Sequence, residues 1–231
     1  MIVTIHQPQY LPWFGYFDKA DRADVFILLD DVQFKKNDWQ NRNRIRTSNG
    51  EAWLSIPIVK ESKQAICHTN INNKTDWKSN HLKTLVMNYT KAPYFKDYIT
   101  YFEDIFSKEW ISLSKLNITL FKQIVTWLGI TTQIVKSSDY QVSTDQTMRL
   151  VELCQEFKSN TYLAGADGET YMDINRFKEN NITIETQNYE HPIYTQLWTQ
   201  GNSDNFISHM SIIDLLFNHG PDSLNILRGS K

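Results

Sequence analysis

Apolar and polar positions at the start of the chain predict a βαβ unit. Residues 2–5 form a β-branched run ending at a polar, proline-containing turn, and residues 25–29 form a second continuous apolar run. Runs of this kind are typical of buried strands. Between them, residues 14–23 repeat apolar side chains at helical spacing, which favours a short amphipathic helix. Strand, helix and strand in this order predict two neighbouring parallel strands.

The later elements follow from the same patterns. Residues 43–47 and 52–58 flank the turn sequence Ser48-Asn49-Gly50-Glu51, which predicts a β-hairpin. Helices are predicted at 76–89, 94–106, 112–128, 144–157 and 174–180, with a last one ending at Asn218. Strands are predicted at 65–71, 131–135, 162–165 and 182–187, and the tail beyond the last helix is expected to be weakly structured.

Together these elements predict an α/β fold with an N-terminal βαβ unit, a mixed sheet and a mainly helical insertion at about 76–128. The chain has 231 residues and is 41% hydrophobic, enough apolar material for one sizeable core. It shows neither an internal repeat nor a linker rich in Pro, Gly or Ser. We therefore expect a single domain over residues 1–231.

Composition narrows the classes of partner and compartment. The net charge is -2, so no global basic field favours nucleic acid. Cys67 and Cys154 lie far apart without Cys-x-x-Cys spacing, which predicts neither a disulfide framework nor a thiolate zinc site. The N-terminus lacks the pattern of a signal peptide, and no apolar run approaches the ~20 residues of a membrane helix. We expect a cytoplasmic protein without a membrane partner.

The densest polar and aromatic cluster is residues 6–13, where the first strand gives way to the helix. It contains His6, Gln7, Tyr10 and Trp13, and two prolines stiffen its backbone. Ligands of open α/β sheets bind outside the carboxyl ends of strands, so we predict a site here. The alternative is a structural turn with a hydrogen-bonded histidine.

A second cluster, Asp30, Asp31 and Gln33, follows the next strand. Neighbouring strands would bring an aspartate close to His6, where a carboxylate can orient an imidazole and raise its pKa. Because side chains alternate along an extended chain, only one of the two aspartates is expected to face the cleft. The alternative is that both simply begin a turn.

The third cluster combines amides and guanidinium groups: Gln40, Asn41, Arg42, Asn43 and Arg44. Arginine offers planar paired donors for phosphate, and amides recognise hydroxyl or amide groups. We predict contact with a substrate phosphate or pyrophosphate, against the alternatives of a solvated loop or a nucleic-acid contact.

Further candidates lie towards the end of the chain. His191 follows the predicted strand at 182–187 and is a rival to His6, while Asp214 and Asn218 share a helical face at i, i+4 spacing. The chain has no His-x-x-x-His, Walker loop, Gly-x-Gly-x-x-Gly or Gly-x-Ser-x-Gly pattern. No metal site is predicted, and common hydrolase and dehydrogenase classes are disfavoured.

Several strings resemble the WbqC-like family of bacterial proteins. They are His6-Gln7-Pro8-x-Tyr10-Leu11-Pro12-Trp13-x-Gly15-Tyr16, Asp31-Val32-Gln33, Gln40-Asn41-Arg42-Asn43, Trp53-Leu54-x-Ile56-Pro57, Tyr189-x-His191-Pro192-x-Tyr194 and Met210-Ser211-Ile212-Ile213-Asp214-Leu215-Leu216-Phe217-Asn218-x-Gly220. The resemblance spans nearly the whole chain. It implies a role in the biosynthesis of O-antigens and other surface polysaccharides that contain amino sugars.

The hypothesis that joins these observations is transfer of an acyl or aminoacyl group to the amine of a nucleotide-linked amino-deoxy sugar. The acyl donor stays open between a carrier-protein thioester, a coenzyme A thioester and an aminoacyl-tRNA, and no cofactor is predicted. The alternatives are a glycosyl- or nucleotidyl-transferring enzyme of the same pathway, and a non-catalytic module that binds the nucleotide sugar. Apart from tRNA as a donor, nucleic acid is not an expected partner.

Each cluster receives a role in this hypothesis. His6 is the predicted base, because imidazole titrates near neutral pH, and Asp30 or Asp31 is its partner. The other roles are oxyanion donation by Gln7, Gln33 or Asn41, pyrophosphate contact by Arg42 and Arg44, and stacking by Tyr10 or Trp13.

Overall fold

The computed structural model describes residues 1–59, 63–170, 172–199, 201 and 203–229. The strands are β1 (Ile2–His6), β2 (Val25–Leu28), β3 (Arg42–Thr47), β4 (Gly50–Ser55), β5 (Gln133–Lys136), β6 (Thr161–Ala164) and β7 (Thr183–Thr186). The helices are α1 (Phe14–Arg22), α2 (Trp77–Tyr89), α3 (Phe95–Ser107), α4 (Leu113–Leu128), α5 (Gln146–Glu156), α6 (Ile174–Glu179), α7 (Ile212–His219) and α8 (Ser223–Leu227).

The main sheet has five parallel strands in the order β5-β2-β1-β6-β7. The predicted βαβ unit is confirmed, with β1 and β2 paired from Val3↔Val25 to His6↔Leu28. The predicted hairpin is also confirmed, as β3 and β4 pair antiparallel with Thr47 opposite Gly50. Parallel and antiparallel pairing therefore both occur, but in two separate sheets.

The strand order makes this a doubly wound sheet. The chain adds β2 and then β5 on one side of β1, and later returns to add β6 and β7 on the other side. The direction of winding reverses between β1 and β6. In such sheets the crevice outside the carboxyl ends of the strands at the reversal is the usual ligand site.

Both faces of the main sheet are buried. Val3, Ile5 and Ile27 pack into one core with side chains of α5 and α6. Phe26 and Leu28 point to the opposite face, where α1, α7 and the helical insertion α2–α4 form the larger core. Burial on two faces explains why β2 is a continuous apolar run and why β1 alternates neither in polarity nor in burial, with Thr4 as buried as Val3.

Two predicted segments differ in the structure. Residues 65–71 are not a strand: a short 3-10 turn at Ile66–His68 separates Ala65, which bridges to Gln33, from Ile71, which bridges to Ile58. The turn prevents a continuous ladder with one partner. The tail is also more ordered than expected, because α8 buries Leu227 completely.

The helical insertion packs as part of a globular core. Its helices bury Leu85, Phe102 and Leu120 completely. Within the described part of the chain, every helix is too short or too polar to cross a bilayer.

Candidate functional site

A cleft of about 870 Å³ opens at the carboxyl ends of β1, β2 and β6. It thus occupies the reversal point of the sheet. Its polar lining includes His6, Gln7, Lys19, Asp31, Gln33 and Arg149. The structure therefore brings together four of the residues predicted for the site and adds a lysine and an arginine that were not predicted.

His6 is the last residue of β1, and its half-buried ring lines the cleft. The ring Nε2 lies 3.2 Å from Gln9 Nε2, and Nδ1 lies 3.5 Å from Lys19 Nζ. Burial, and then the positive charge of Lys19, hold the pKa of His6 well below its usual value. The imidazole is therefore neutral at pH 7, the state that can accept a proton.

Lys19 reaches this position from α1 and is only 2% exposed. Its Nζ lies 3.4 Å from the carbonyl oxygen of Ile5. Burial lowers the pKa of Lys19 to about 7, although the charge of Asp18 acts in the opposite direction. Helical spacing indicated the burial of Lys19, because position 19 lies about one turn after Tyr16 and next to Ala20, on the buried face of the helix.

The two aspartates after β2 separate as alternation predicts. Asp31 lines the cleft, accepts a 2.5 Å hydrogen bond from Ser137 Oγ and lies 3.9 Å from Arg149 Nη2. Asp30 is buried and accepts hydrogen bonds from the backbone N–H and the hydroxyl of Ser138, each at 3.1 Å. Neither provides the predicted carboxylate partner of His6, whose ring contacts Gln9 and Lys19 instead.

Gln7 and Gln40 connect the cleft to the loop after β2. Gln40 Nε2 donates to Gln7 Oε1 at 2.7 Å, and Gln40 Oε1 accepts from the backbone N–H of Lys35 at 2.9 Å. Gln33, on the same loop, is exposed and lines the cleft. Gln40 thus fixes this loop against the first strand end and reaches the site only through Gln7.

The amides of Asn41 and Asn43 hold the chain rather than face the cleft. The buried Asn41 donates to the carbonyl of Ile56 at 2.9 Å, and the buried Asn43 donates to the carbonyl of Leu11 at 2.7 Å. A buried amide with a backbone partner is a structural element. This corrects the substrate-binding role predicted for both asparagines and the oxyanion donation predicted for Asn41.

Arg42 and Arg44 lie on the β3–β4 hairpin, and the cleft lining includes neither among the residues described. The guanidinium of Arg42 stacks 4.2 Å from the centre of the Trp53 ring, and Arg44 pairs with Glu51 at 2.8 Å. Arg149 is the arginine of the cleft, where it donates to the carbonyl of Ser143 at 3.0 Å. No local motif marks Arg149, because its role depends on α5 packing beside the sheet.

Tyr10 belongs to the core rather than to a stacking surface. It is fully buried, and its hydroxyl lies 2.9 Å from His81 Nδ1. His81 Nε2 lies 3.2 Å from the carbonyl oxygen of Ser55. A neutral ring that donates from Nε2 and accepts at Nδ1 satisfies both contacts, so this pair links the insertion to the hairpin.

Acid should therefore destabilise the fold through His81. Burial lowers the pKa of His81 to about 4, so the unfolded chain binds its proton first as the pH falls below the ordinary value of about 6.5. We expect this residue to reduce the free energy of unfolding by about 1.4 kcal/mol for each pH unit between those two values. Denaturant titrations across this pH range should show that the free energy of unfolding falls less steeply with falling pH in His81→Gln than in the wild-type protein. Equal slopes in the two proteins would contradict a neutral buried ring.

Trp13 packs against the loop between β7 and α7. Its ring lies 5.8 Å from that of Tyr189 and 5.1 Å from that of His209. A Cβ at position 15 would lie 2.3 Å from the Trp13 ring, so Gly15 is needed to admit the indole. Trp13 is therefore a half-buried packing residue that precedes α1, and the described lining of the cleft does not include it.

His191 lies in the loop after β7, where its ring stacks 4.6 Å from that of Phe14. Its Nδ1 lies 2.8 Å from the carbonyl oxygen of Pro192, and its Nε2 accepts from the backbone N–H of His209 at 3.1 Å. Burial lowers the pKa of His191 to about 4. The described lining of the cleft includes His6 but not His191, which favours His6 as the base.

Asp214 and Asn218 form a buried polar network on α7. Asp214 accepts hydrogen bonds from the hydroxyls of Tyr89, at 2.6 Å, and Tyr194, and from Gln196 Nε2 at 2.8 Å. Burial raises its pKa. Asn218 donates to the carbonyl of Asp214 at 2.7 Å. These residues are part of the core, which corrects their predicted role in substrate binding.

Fold and site together define a doubly wound α/β protein with a polar cleft at the reversal of its sheet. The model of the WbqC-like protein family matches residues 7–226, and the chain belongs to this family. An uncharacterized protein of Mycobacterium tuberculosis is 37% identical over 230 residues, which cover 98% of this chain and 97% of that protein. No solved structure matches the chain.

Proposed function

We propose that this protein is a cytoplasmic transferase of bacterial surface-polysaccharide biosynthesis, acting on a nucleotide-linked amino-deoxy sugar. The transferred group is an acyl or aminoacyl group, and the acceptor is the amine of the sugar. The observation that supports this proposal best is the neutral imidazole of His6, which lines the cleft where the winding of the sheet reverses.

The chemistry needs one base and one set of donors. The sugar amine attacks the acyl carbon, a C–N bond forms and the carbonyl oxygen gains negative charge. His6 takes the proton from the attacking nitrogen and returns it to the leaving group as the bond to that group breaks. In this proposal the amides of Gln7 and Gln33, which line the cleft, donate to the oxyanion.

The cleft also suits the other end of the substrate. At about 870 Å³ it lies within the range of ligand pockets. Arg149 gives it a planar cation that suits a pyrophosphate. In this proposal Arg149 takes the pyrophosphate role that the sequence assigned to Arg42 and Arg44.

Arg149→Ala is expected to weaken binding of the nucleotide sugar by about 1–3 kcal/mol, the scale of a lost charge-assisted hydrogen bond. Arg42→Ala is the matched control, because it removes an arginine that stacks on Trp53 outside the described cleft lining. Isothermal titration of both variants measures the difference. If only Arg42→Ala weakened binding of the nucleotide sugar, the phosphate site would instead lie on the hairpin.

The function itself is tested by mass spectrometry of the purified protein with nucleotide-linked amino sugars and a panel of thioester and aminoacyl-tRNA donors. We expect one pairing to give a sugar heavier by the acyl group. Binding without any product would instead indicate a nucleotide-sugar-binding module. Transfer of a glycosyl or nucleotidyl group would indicate the alternative enzyme class.

A further inference from the structure

The amine of Lys19 is buried without a counter-ion. None of the ion pairs among the described residues includes it. Its neighbour Asp18 instead accepts from Gln187 Nε2 at 2.7 Å and pairs with Arg22 at 3.6 Å. An ammonium removed from water without a partner carries a large desolvation cost, so burial lowers the pKa of Lys19 to about 7 and the amine and the ammonium are both populated at that pH.

The contacts of this amine are weak and lie next to open space. Its Nζ is 3.4 Å from the carbonyl oxygen of Ile5 and 3.5 Å from His6 Nδ1, both long for hydrogen bonds. Lys19 also lines the cleft, together with His6 and Arg149. A weakly held amine that is partly neutral at pH 7, beside an imidazole in the wall of a cleft, has the features of a nucleophilic lysine.

We propose that Lys19 forms an imine with the carbonyl carbon of an anionic aldehyde or ketone bound in the cleft. Arg149, on the wall of the same cleft, pairs with the anionic group of this ligand. The ligand class is thus a small carbonyl compound that bears a carboxylate or phosphate. This activity goes beyond the proposed acyl transfer and does not depend on it.

The step is balanced without a further reactant. The lone pair of Nζ attacks the carbonyl carbon, a C–N bond forms, and the oxygen takes up a proton to give a carbinolamine. His6 carries the first proton of Nζ to this oxygen. It then carries the second proton of Nζ to the resulting hydroxyl, which leaves as water. The product is the imine, and the ring of His6 returns to its neutral state.

The test uses the full-length folded protein, glyoxylate as the anionic carbonyl probe and cyanoborohydride to trap the imine at pH 7. Peptide mapping by mass spectrometry then locates the label. Because the pKa of Lys19 is about 7, its neutral fraction at this pH greatly exceeds that of an exposed lysine. We expect Lys19 to be labelled about 10-fold or more faster than any exposed lysine.

Variants and a second probe make the test sharper. Lys19→Arg should lose this labelling, whereas Lys122→Arg, at an exposed position of α4, should keep it. Propanal lacks the anionic group and should label Lys19 more slowly than glyoxylate. Equal rates for the two aldehydes would overturn the anionic ligand class.

Labelling of the wild-type protein decides the main point even if a variant fails to fold. Label spread over exposed lysines, with Lys19 unmodified, would overturn the proposal and leave Lys19 as a structural cap on the end of β1. Failure of acyl transfer in the sugar screen would not affect this readout, because trapping requires neither an acyl donor nor a sugar.

Discussion

His6→Asn is expected to lower turnover by ~10²–10⁴-fold, the usual contribution of a general base. The amide of asparagine retains hydrogen-bonding capacity near Gln9 and Lys19 but cannot take a proton from the substrate amine. Affinity for the nucleotide sugar should change far less, since that affinity rests on other side chains. Steady-state kinetics on the acyl-transfer reaction, separated into kcat and KM, measure both effects.

His191→Asn is the matched control for this result. It makes the same substitution at a histidine of the loop between β7 and α7, which the described lining of the cleft does not include. We expect turnover close to that of the wild-type protein. Normal activity of His6→Asn combined with loss in His191→Asn would move the chemistry to His191 and away from the end of β1.

The titration of His6 provides a separate test of its assignment as the base. Because burial and the charge of Lys19 keep the pKa of His6 low, this ring should remain a base at pH 6, where an ordinary histidine is largely protonated. NMR titration of the ring nitrogens measures this directly. A pKa of His6 near 6.5 would show that the ring is solvated and would remove the argument for a neutral base.

Asp214→Ala is expected to lower the free energy of unfolding by about 3–5 kcal/mol. The substitution leaves two buried tyrosine hydroxyls, those of Tyr89 and Tyr194, and the amide of Gln196 without their shared acceptor. Each unsatisfied buried donor is costly, and the network joins α2, α7 and the loop after β7. Chemical denaturation of the two proteins at the same pH measures the loss.

The control for Asp214 is Asp97→Ala, which removes an exposed carboxylate from the first turn of α3. It should cost less than about 1 kcal/mol, since it alters only a helix-dipole contact. A comparably small loss for Asp214→Ala would contradict the structural role of the network. In that case Asp214 would again be a candidate for substrate binding.

The fold was predictable where local pattern decides the structure. The β-branched run of β1, the apolar run of β2 and the turn sequence at Ser48-Asn49-Gly50 predicted the βαβ unit and the hairpin correctly. The order of the main sheet was not predictable in this way. β5 pairs with β2 although the hairpin and the insertion separate the two strands in the chain. The sequence of neither strand indicates which edge of the sheet a distant strand will occupy.

The candidate site was likewise predictable only where local sequence pattern decides the position of a residue. His6 and Asp31 were located correctly in the cleft because residues that follow parallel strands share one edge of the sheet. Lys19 was missed because a charged residue on a short helix is usually solvated. Asn41 and Asn43 were misassigned, because a buried hydrogen bond to a distant carbonyl leaves no trace in sequence spacing.

The strand order also determines when the protein can fold during its synthesis. β1 and β2 are close in sequence, so we expect them to pair early, but Val25 pairs with Gln133 and Ile2 pairs with Thr161. Until those late segments emerge, the β1–β2 pair has unpaired strand edges on both sides, and such edges template association between chains. The nascent chain is therefore most prone to aggregation while its insertion is being translated, and chaperone binding in that interval would protect it.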